Sequence, residues 1–356
     1  MKSSGSMRHI SKYALVLVLV ATSGILYVQY FENQASGIED INICTWKDNT
    51  AFAVTLSFDD GYLATYRSSL PILNSHHLVG TFNVIAKRVG SRYIHMELAT
   101  WEDWNDAAKE GHEMASHSAF HRHLPDLTQE ELLTELKDSQ SIIESFIPEQ
   151  KTLSFVYPAG EYDLTSKKAV KSYYISARSS DSGFNPISPS DFFSLKSMVI
   201  SKDTSAQEIN GWADEVEQEG YWLIEMYHLV NDSNPTNYKF YTSPSILGAH
   251  LDHLSEKEVW VATQQSVVKY IKERDDSKIT VVSEKRSKLV LRLINDLDNR
   301  IFDQPLTIRA RVPSDWDSVK VVQGDDIRII EADAADYIYF DAVPGAGDIS
   351  LSRVKN

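Results

Sequence analysis

The sequence predicts an α/β unit on a mostly parallel sheet, followed by a smaller antiparallel β unit. Three observations lead there. Strand-like apolar runs alternate with helix-like amphipathic stretches through the first three quarters of the chain. From Lys278 onward the texture changes to short alternating strands divided by turn residues. At 356 residues, 42% of them hydrophobic and 24% charged, the chain is long enough for two units, one with a sizeable core.

The strand candidates of the first unit are Phe52–Phe58, Gly80–Ala86, His112–Ser116, Leu153–Tyr157, Tyr173–Ala177, Phe193–Val199, Trp222–Tyr227 and Val259–Ala262. Helical patterns lie between several of them. Thr128-Gln129-Glu130-Glu131 is a capping-box signature, with Leu132, Leu136 and Ile143 following on one face. Ile209, Trp212, Ala213 and Val216 repeat the i, i+3, i+4, i+7 stripe, and Val267, Val268 and Ile271 form a shorter one. Such alternation implies right-handed crossovers and a parallel sheet, either open or closed as a barrel. In the second unit Ile279–Ser283, Lys288–Ile294, Leu306–Val312, Ser318–Val322, Ile327–Glu331 and Tyr337–Phe340 read as strands of a small antiparallel sandwich.

A formal charge of −15 argues against a nucleic-acid partner and disfavours strongly anionic polymers, unless a local basic cleft overrides the average. Cys44 is the only cysteine, so no intrachain disulfide forms. Lys2, Arg8 and Lys12 precede an apolar run that extends from Ala14 to about Phe31. A basic flank before such a run reads as an export signal, either a signal anchor or a cleaved signal peptide. The expectation is an extracytoplasmic protein, with the membrane as a partner if residues 1–31 stay attached.

The chemistry-bearing pattern starts at Ser57-Phe58-Asp59-Asp60-Gly61, where two adjacent carboxylates follow an apolar strand. Like charges that close oppose each other's ionisation, and burial adds a desolvation penalty. A bound cation relieves both, with one carboxylate on the metal and the other free as a base. His117-Ser118-Ala119-Phe120-His121 then supplies two imidazoles four residues apart, which face one ion if the segment makes a helical turn. One Asp and two His, with water in a fourth position, is the ligand set of an open catalytic zinc-type site. Asp59-Asp60, His117, Tyr157 and His228 each follow strand-like runs, and functional groups collect at the carboxyl edge of parallel sheets.

These residues resemble the polysaccharide deacetylases of the NodB-homology group, carbohydrate esterase family 4. Ser57–Gly61 matches their [T/S]-F-D-D-G motif and His117–His121 their H-[S/T]-x-x-H motif. Phe155-Val156-Tyr157-Pro158-Ala159-Gly160 looks like the F-x-Y-P-x-G form of the third, without the Arg that many members carry. The strand ending in His228 fits the last. The resemblance implies a distorted (β/α)7-like barrel over 49–276, while the residues themselves place a polar spacer at 32–48 before it and the small antiparallel β-sandwich at 278–356 after it. It assigns Asp60, His117 and His121 to a divalent metal, Zn²⁺ or else Co²⁺, Ni²⁺ or Mn²⁺. It makes Asp59 the general base, His228 the general acid and the Tyr157 backbone N–H an oxyanion donor. No Arg lies between Thr152 and Gly160, so a substitute to orient Asp59 has to come from elsewhere. Arg178 is the candidate, with a surface cation as the alternative reading.

The implied activity is metal-dependent removal of acetyl groups, N-acetyl in preference, from a polysaccharide or oligosaccharide. An O-acetyl esterase on xylan or another acetylated polysaccharide uses the same water attack. A catalytically silent carbohydrate-binding protein is the rival of another class, and the intact set Asp59, Asp60, His117, His121 and His228 speaks against it.

Overall fold

A computed structural model describes residues 39–354 except Pro235. The strand Phe52–Phe58, buried along its whole length, sits at the centre of a curved, wholly parallel sheet. On one side of it come Thr81–Val84, Glu113–Ser116, Ser154–Val156 and Ser176–Arg178; on the other come Trp222–Tyr227 and Met198–Val199. Val259–Val261 pairs with the amino-terminal half of Phe52–Phe58, below the short pairing made by Thr81–Val84. The chain from Phe192 to Ser197 joins the two ends of the sheet. Leu195 N–H donates to Ala177 O and Ser179 N–H to Leu195 O, after which Met198 and Val199 align with Glu225 and Met226. The result is the distorted barrel that the motifs imply.

Helices cover the outside of this barrel, and Leu70, Leu73, Trp104, Ile143, Ile209, Val216 and Leu251 pack against the sheet. The expected capping box starts the helix Gln129–Phe146: Glu131 N–H donates to Thr128 Oγ1 and Thr128 N–H returns to the Glu131 carboxylate. Four further helices, Leu63–Ser75, Trp101–Lys109, Leu164–Val170 and Pro244–Ser255, have no counterpart in the sequence reading.

The second unit is a β-sandwich-like appendage. One antiparallel sheet has the order Lys278–Lys285, Lys288–Ile294, Asp348–Arg353, Ser318–Gln323, Asp326–Glu331. The other has the order Glu39–Ile43, Leu306–Arg311, Tyr337–Ala342. Leu289, Leu291, Ile308, Trp316, Val321, Phe340 and Leu351 fill the space between them. Part of the expected spacer is therefore a sandwich strand, because Glu39–Ile43 pairs antiparallel with Leu306–Arg311. The appendage seats on helix Gln264–Asp276 through Tyr270, whose hydroxyl donates to Cys44 O at 2.9 Å, and through Glu273, which accepts from Gln304 N–H at 2.9 Å.

No helix among the described residues is long and apolar enough to cross a membrane. The membrane partner and the extracytoplasmic placement expected from the N-terminal run are withdrawn on that finding. Residues 1–31 themselves lie outside the described residues.

Candidate metal centre

The site forms at the carboxyl ends of the parallel strands. Phe52–Phe58 delivers Asp59 and Asp60 into the mouth, and the chain then reverses through two left-handed residues, Asp60 at φ 72° and Gly61 at φ 74°. Asp tolerates that region better than most side chains, and glycine enters it without strain. The reversal is what aims two neighbouring carboxylates at different partners.

His117 follows Glu113–Ser116 directly, with its N–H on Val84 O. The segment from His117 to His121 is not the expected helical turn. It is an irregular loop with Ser118 and His121 both at φ 62°. Side chains replace the missing helical bonds: His121 N–H donates to Ser118 Oγ at 2.9 Å and Phe120 N–H to Glu135 Oε2 at 2.9 Å. The two imidazoles meet edge to face, 4.6 Å between centroids.

Asp60, His117 and His121 each offer one ligand atom, all within 4.8 Å of one another. Asp60 Oδ1 lies 3.7 Å from His117 Nε2 and 3.6 Å from His121 Nε2. Those separations are too long for hydrogen bonds and suit three donors around one ion. Their electrostatics agree. Burial and then the Asp59 charge push the Asp60 carboxyl up to about 7, while burial pulls His117 down to about 4 and His121 to about 3. The imidazoles are thus neutral ligands, and a divalent ion offsets the penalty on the carboxylate. His117 Nδ1–H donates to Val156 O at 2.9 Å, which leaves Nε2 as the ligand atom. His121 Nδ1 lies 3.0 Å from the Tyr93 hydroxyl, the same arrangement for the second imidazole. The donor set and its outer partners fit a divalent metal.

Asp59 is the spare carboxylate. Arg178, wholly buried at the end of strand Ser176–Arg178, places Nη2 on Asp59 Oδ1, and Asn83 Nδ2 donates to the same oxygen at 2.7 Å. Burial alone raises this carboxyl, but Arg178, with His117 and His228, outweighs it and holds the group at about 2. Asp59 Oδ2 faces His228 Nε2 across 3.9 Å. The His228 ring stacks on Phe240 at 4.8 Å, its Nδ1 is buried without a partner, and burial lowers it to about 4.

Five of the expected side chains, Asp59, Asp60, His117, His121 and His228, meet in this mouth, and Arg178 joins them from the strand floor. The Tyr157 expectation needs correction. Its backbone N–H already donates to Arg178 O at 3.1 Å, in the pairing that continues the parallel sheet, so no free donor remains there for an oxyanion. The sequence reading missed Asn83 and Tyr93. Asn83, a polar residue in the middle of an apolar strand, carried a readable signal; Tyr93 lies in a two-residue strand, Arg92–Tyr93, too short for any periodicity to announce.

A family model for polysaccharide deacetylases matches residues 47–177. Among curated proteins, the chain is 25% identical over 344 residues to a gellan lyase from Bacillus sp, spanning 88% of this chain and 13% of that one. It is 30% identical over 118 residues to a protein of Bacillus subtilis (strain 168) named "Putative polysaccharide deacetylase YxkH", spanning 33% and 40%. The chain thus covers well under two thirds of either relative's length. Among solved structures, the Xyl-CE4 domain of a multidomain xylanase from the hindgut metagenome of Trinervitermes trinervoides aligns at 19% identity and a TM-score of 0.45, over 61% of this chain and 89% of that one.

Proposed function

From the premise that this chain carries a polysaccharide deacetylase domain of the carbohydrate esterase family 4 type, with a metal-dependent hydrolytic centre of the deacetylase or esterase kind, we propose that it removes N-acetyl groups from a polysaccharide or oligosaccharide. The observation that carries the reading is the buried trio Asp60, His117 and His121 with a separate carboxylate, Asp59, beside it.

Asp60 and the two Nε2 atoms would hold the ion, and two imidazoles with one carboxylate favour Zn²⁺. When bound, such an ion supplies a Lewis acid that polarises an acetyl carbonyl and acidifies water. The remaining work falls to side chains. Arg178 and Asn83 keep Asp59 ionised and fixed, so its free Oδ2 accepts the proton of the attacking water. His228 rests neutral because of its burial, and gains its proton within the turnover. The Asp59 carboxylate 3.9 Å away is the group placed to pass that proton on. His228 then hands it to the leaving nitrogen, which departs as an amine. Phe240 fixes the plane of the His228 ring for that transfer.

Acetate release from chitooligosaccharides, peptidoglycan fragments and acetylated xylan, with added Zn²⁺ and with a chelator, tests the proposal. Chelator-sensitive release from the N-acetylated substrates is expected. No release from any substrate in the presence of metal, or release indifferent to the chelator, contradicts it.

A further inference from the structure

With a formal charge of −15, the surface as a whole repels acidic polymers. The mouth of the metal centre departs from that average. Two cations flank it, each one aromatic ring away from a site imidazole. The Arg88 guanidinium lies 5.3 Å from the centroid of Tyr93, whose ring is 5.2 Å from that of His121. Lys239 Nζ lies 5.0 Å from the centroid of Phe240, which stacks on His228.

Arg88 is also held in place. Its Nε donates to Phe120 O at 3.2 Å, and together with the Tyr93 face that bond fixes the guanidinium plane. Neither terminal nitrogen of Arg88 nor Lys239 Nζ has an acidic or hydrogen-bonding partner among the described residues. Acids close to the two cations are engaged elsewhere: Asp138 pairs with Lys87, the residue before Arg88, and Asp203 pairs at 3.0 Å with Lys202, whose N–H donates to Lys239 O. Phe120 itself, within the His117–His121 loop, is 41% exposed, and Lys87 Nζ, on the Arg88 side, lies 4.9 Å from its ring centroid. A fixed planar fork with its terminal donors unspent matches a carboxylate, which accepts two parallel charge-assisted hydrogen bonds.

We propose that the glycan taken by this centre is an acidic one, and that Arg88 receives the carboxylate of a sugar close to the acetylated residue, with Lys239 adding positive charge on the His228 side. The inference rests on reading the centre as a glycan deacetylase and names the substrate class for it.

The test uses matched oligosaccharides of the full chain loaded with Zn²⁺: an N-acetylated one containing uronate residues, the same molecule with its carboxyls reduced to alcohols, and the corresponding O-acetylated pair. Equilibrium binding is measured by calorimetry alongside acetate release, so that recognition is read without turnover. Wild-type protein should bind the uronate forms roughly tenfold more tightly than the reduced forms, with the preference shrinking as salt rises. Arg88→Gln should erase most of that preference by raising KM with kcat little changed. Arg88→Lys should keep part of it, which guards against a loop that merely misfolds. Equal binding of charged and reduced forms by the wild type, or a loss in Arg88→Gln that is the same for both, overturns the inference. Charge-selective binding without acetate release from any substrate would leave it standing and overturn the deacetylase reading instead.

Discussion

Arg178→Met removes the cation that faces Asp59 and keeps a side chain of similar length. Asp59 is 3% exposed, and its carboxyl sits at about 2 against an ordinary 3.8. A difference near two pKa units corresponds to about 2 kcal/mol of stability at neutral pH. Because the folded value is the lower one, that contribution is present above about 3.8 and fades as pH falls through about 2. Without Arg178 the burial penalty on Asp59 is no longer opposed by its main counter-charge, and breaking a buried pair from one side costs about 3–5 kcal/mol. Chemical unfolding of metal-free protein at pH 7 should show a loss in that range. Asp59→Asn combined with Arg178→Met should be less destabilised than Arg178→Met alone, since the stranded charge is gone. Acetate release by Arg178→Met should drop by about 10²–10⁴, the scale on which a positioned base acts. A variant within 1 kcal/mol of wild type that still turns over normally would refute the coupling of Arg178 to Asp59.

His228→Ala should cripple cleavage of an N-acetyl amide far more than cleavage of an activated acetyl ester, because an amide nitrogen cannot depart unprotonated; rates on paired substrates check this, and equal losses would count against His228 as the acid. Glu273, wholly buried under the appendage, is pushed by burial from 4.5 up to about 7. Its fold-favoured state is the protonated one, so the penalty grows as pH rises past 4.5 and is complete above about 7. Glu273→Gln should raise stability at pH 8 by on the order of 2–3 kcal/mol and change little at pH 4, as read by unfolding curves at both.

The parallel sheet and the centre were legible for one physical reason: strands buried on both faces read as continuous apolar runs, and the reactive residues sit where those runs stop. Phe52–Phe58 and Trp222–Tyr227 were found at their full extent for that reason. Helix Leu63–Ser75 escaped because Pro71, within its third turn, reads as a breaker. Trp101–Lys109 starts with a capping box built on Asp103 in place of Glu or Gln, and it is too short for a clear stripe. The geometry of the His117–His121 loop, with left-handed Ser118 and His121, was not legible, since the loop is pinned to residues distant in sequence: Phe120 N–H donates to Glu135, and Ser118 O accepts from Ala86 N–H. Arg178 could be suspected from the missing Arg of the third motif, but only packing decides that a cation at a strand end points inward. The occupied N–H of Tyr157 depends on its pairing with the neighbouring strand, which one-dimensional patterns do not contain.

Metal analysis of purified Asp60→Asn and Asp59→Asn tests the central claim most directly. The geometry predicts that Asp59→Asn retains one equivalent of divalent metal while losing turnover, and that Asp60→Asn loses both. Equal metal content in the two variants would contradict the division of labour between the adjacent carboxylates.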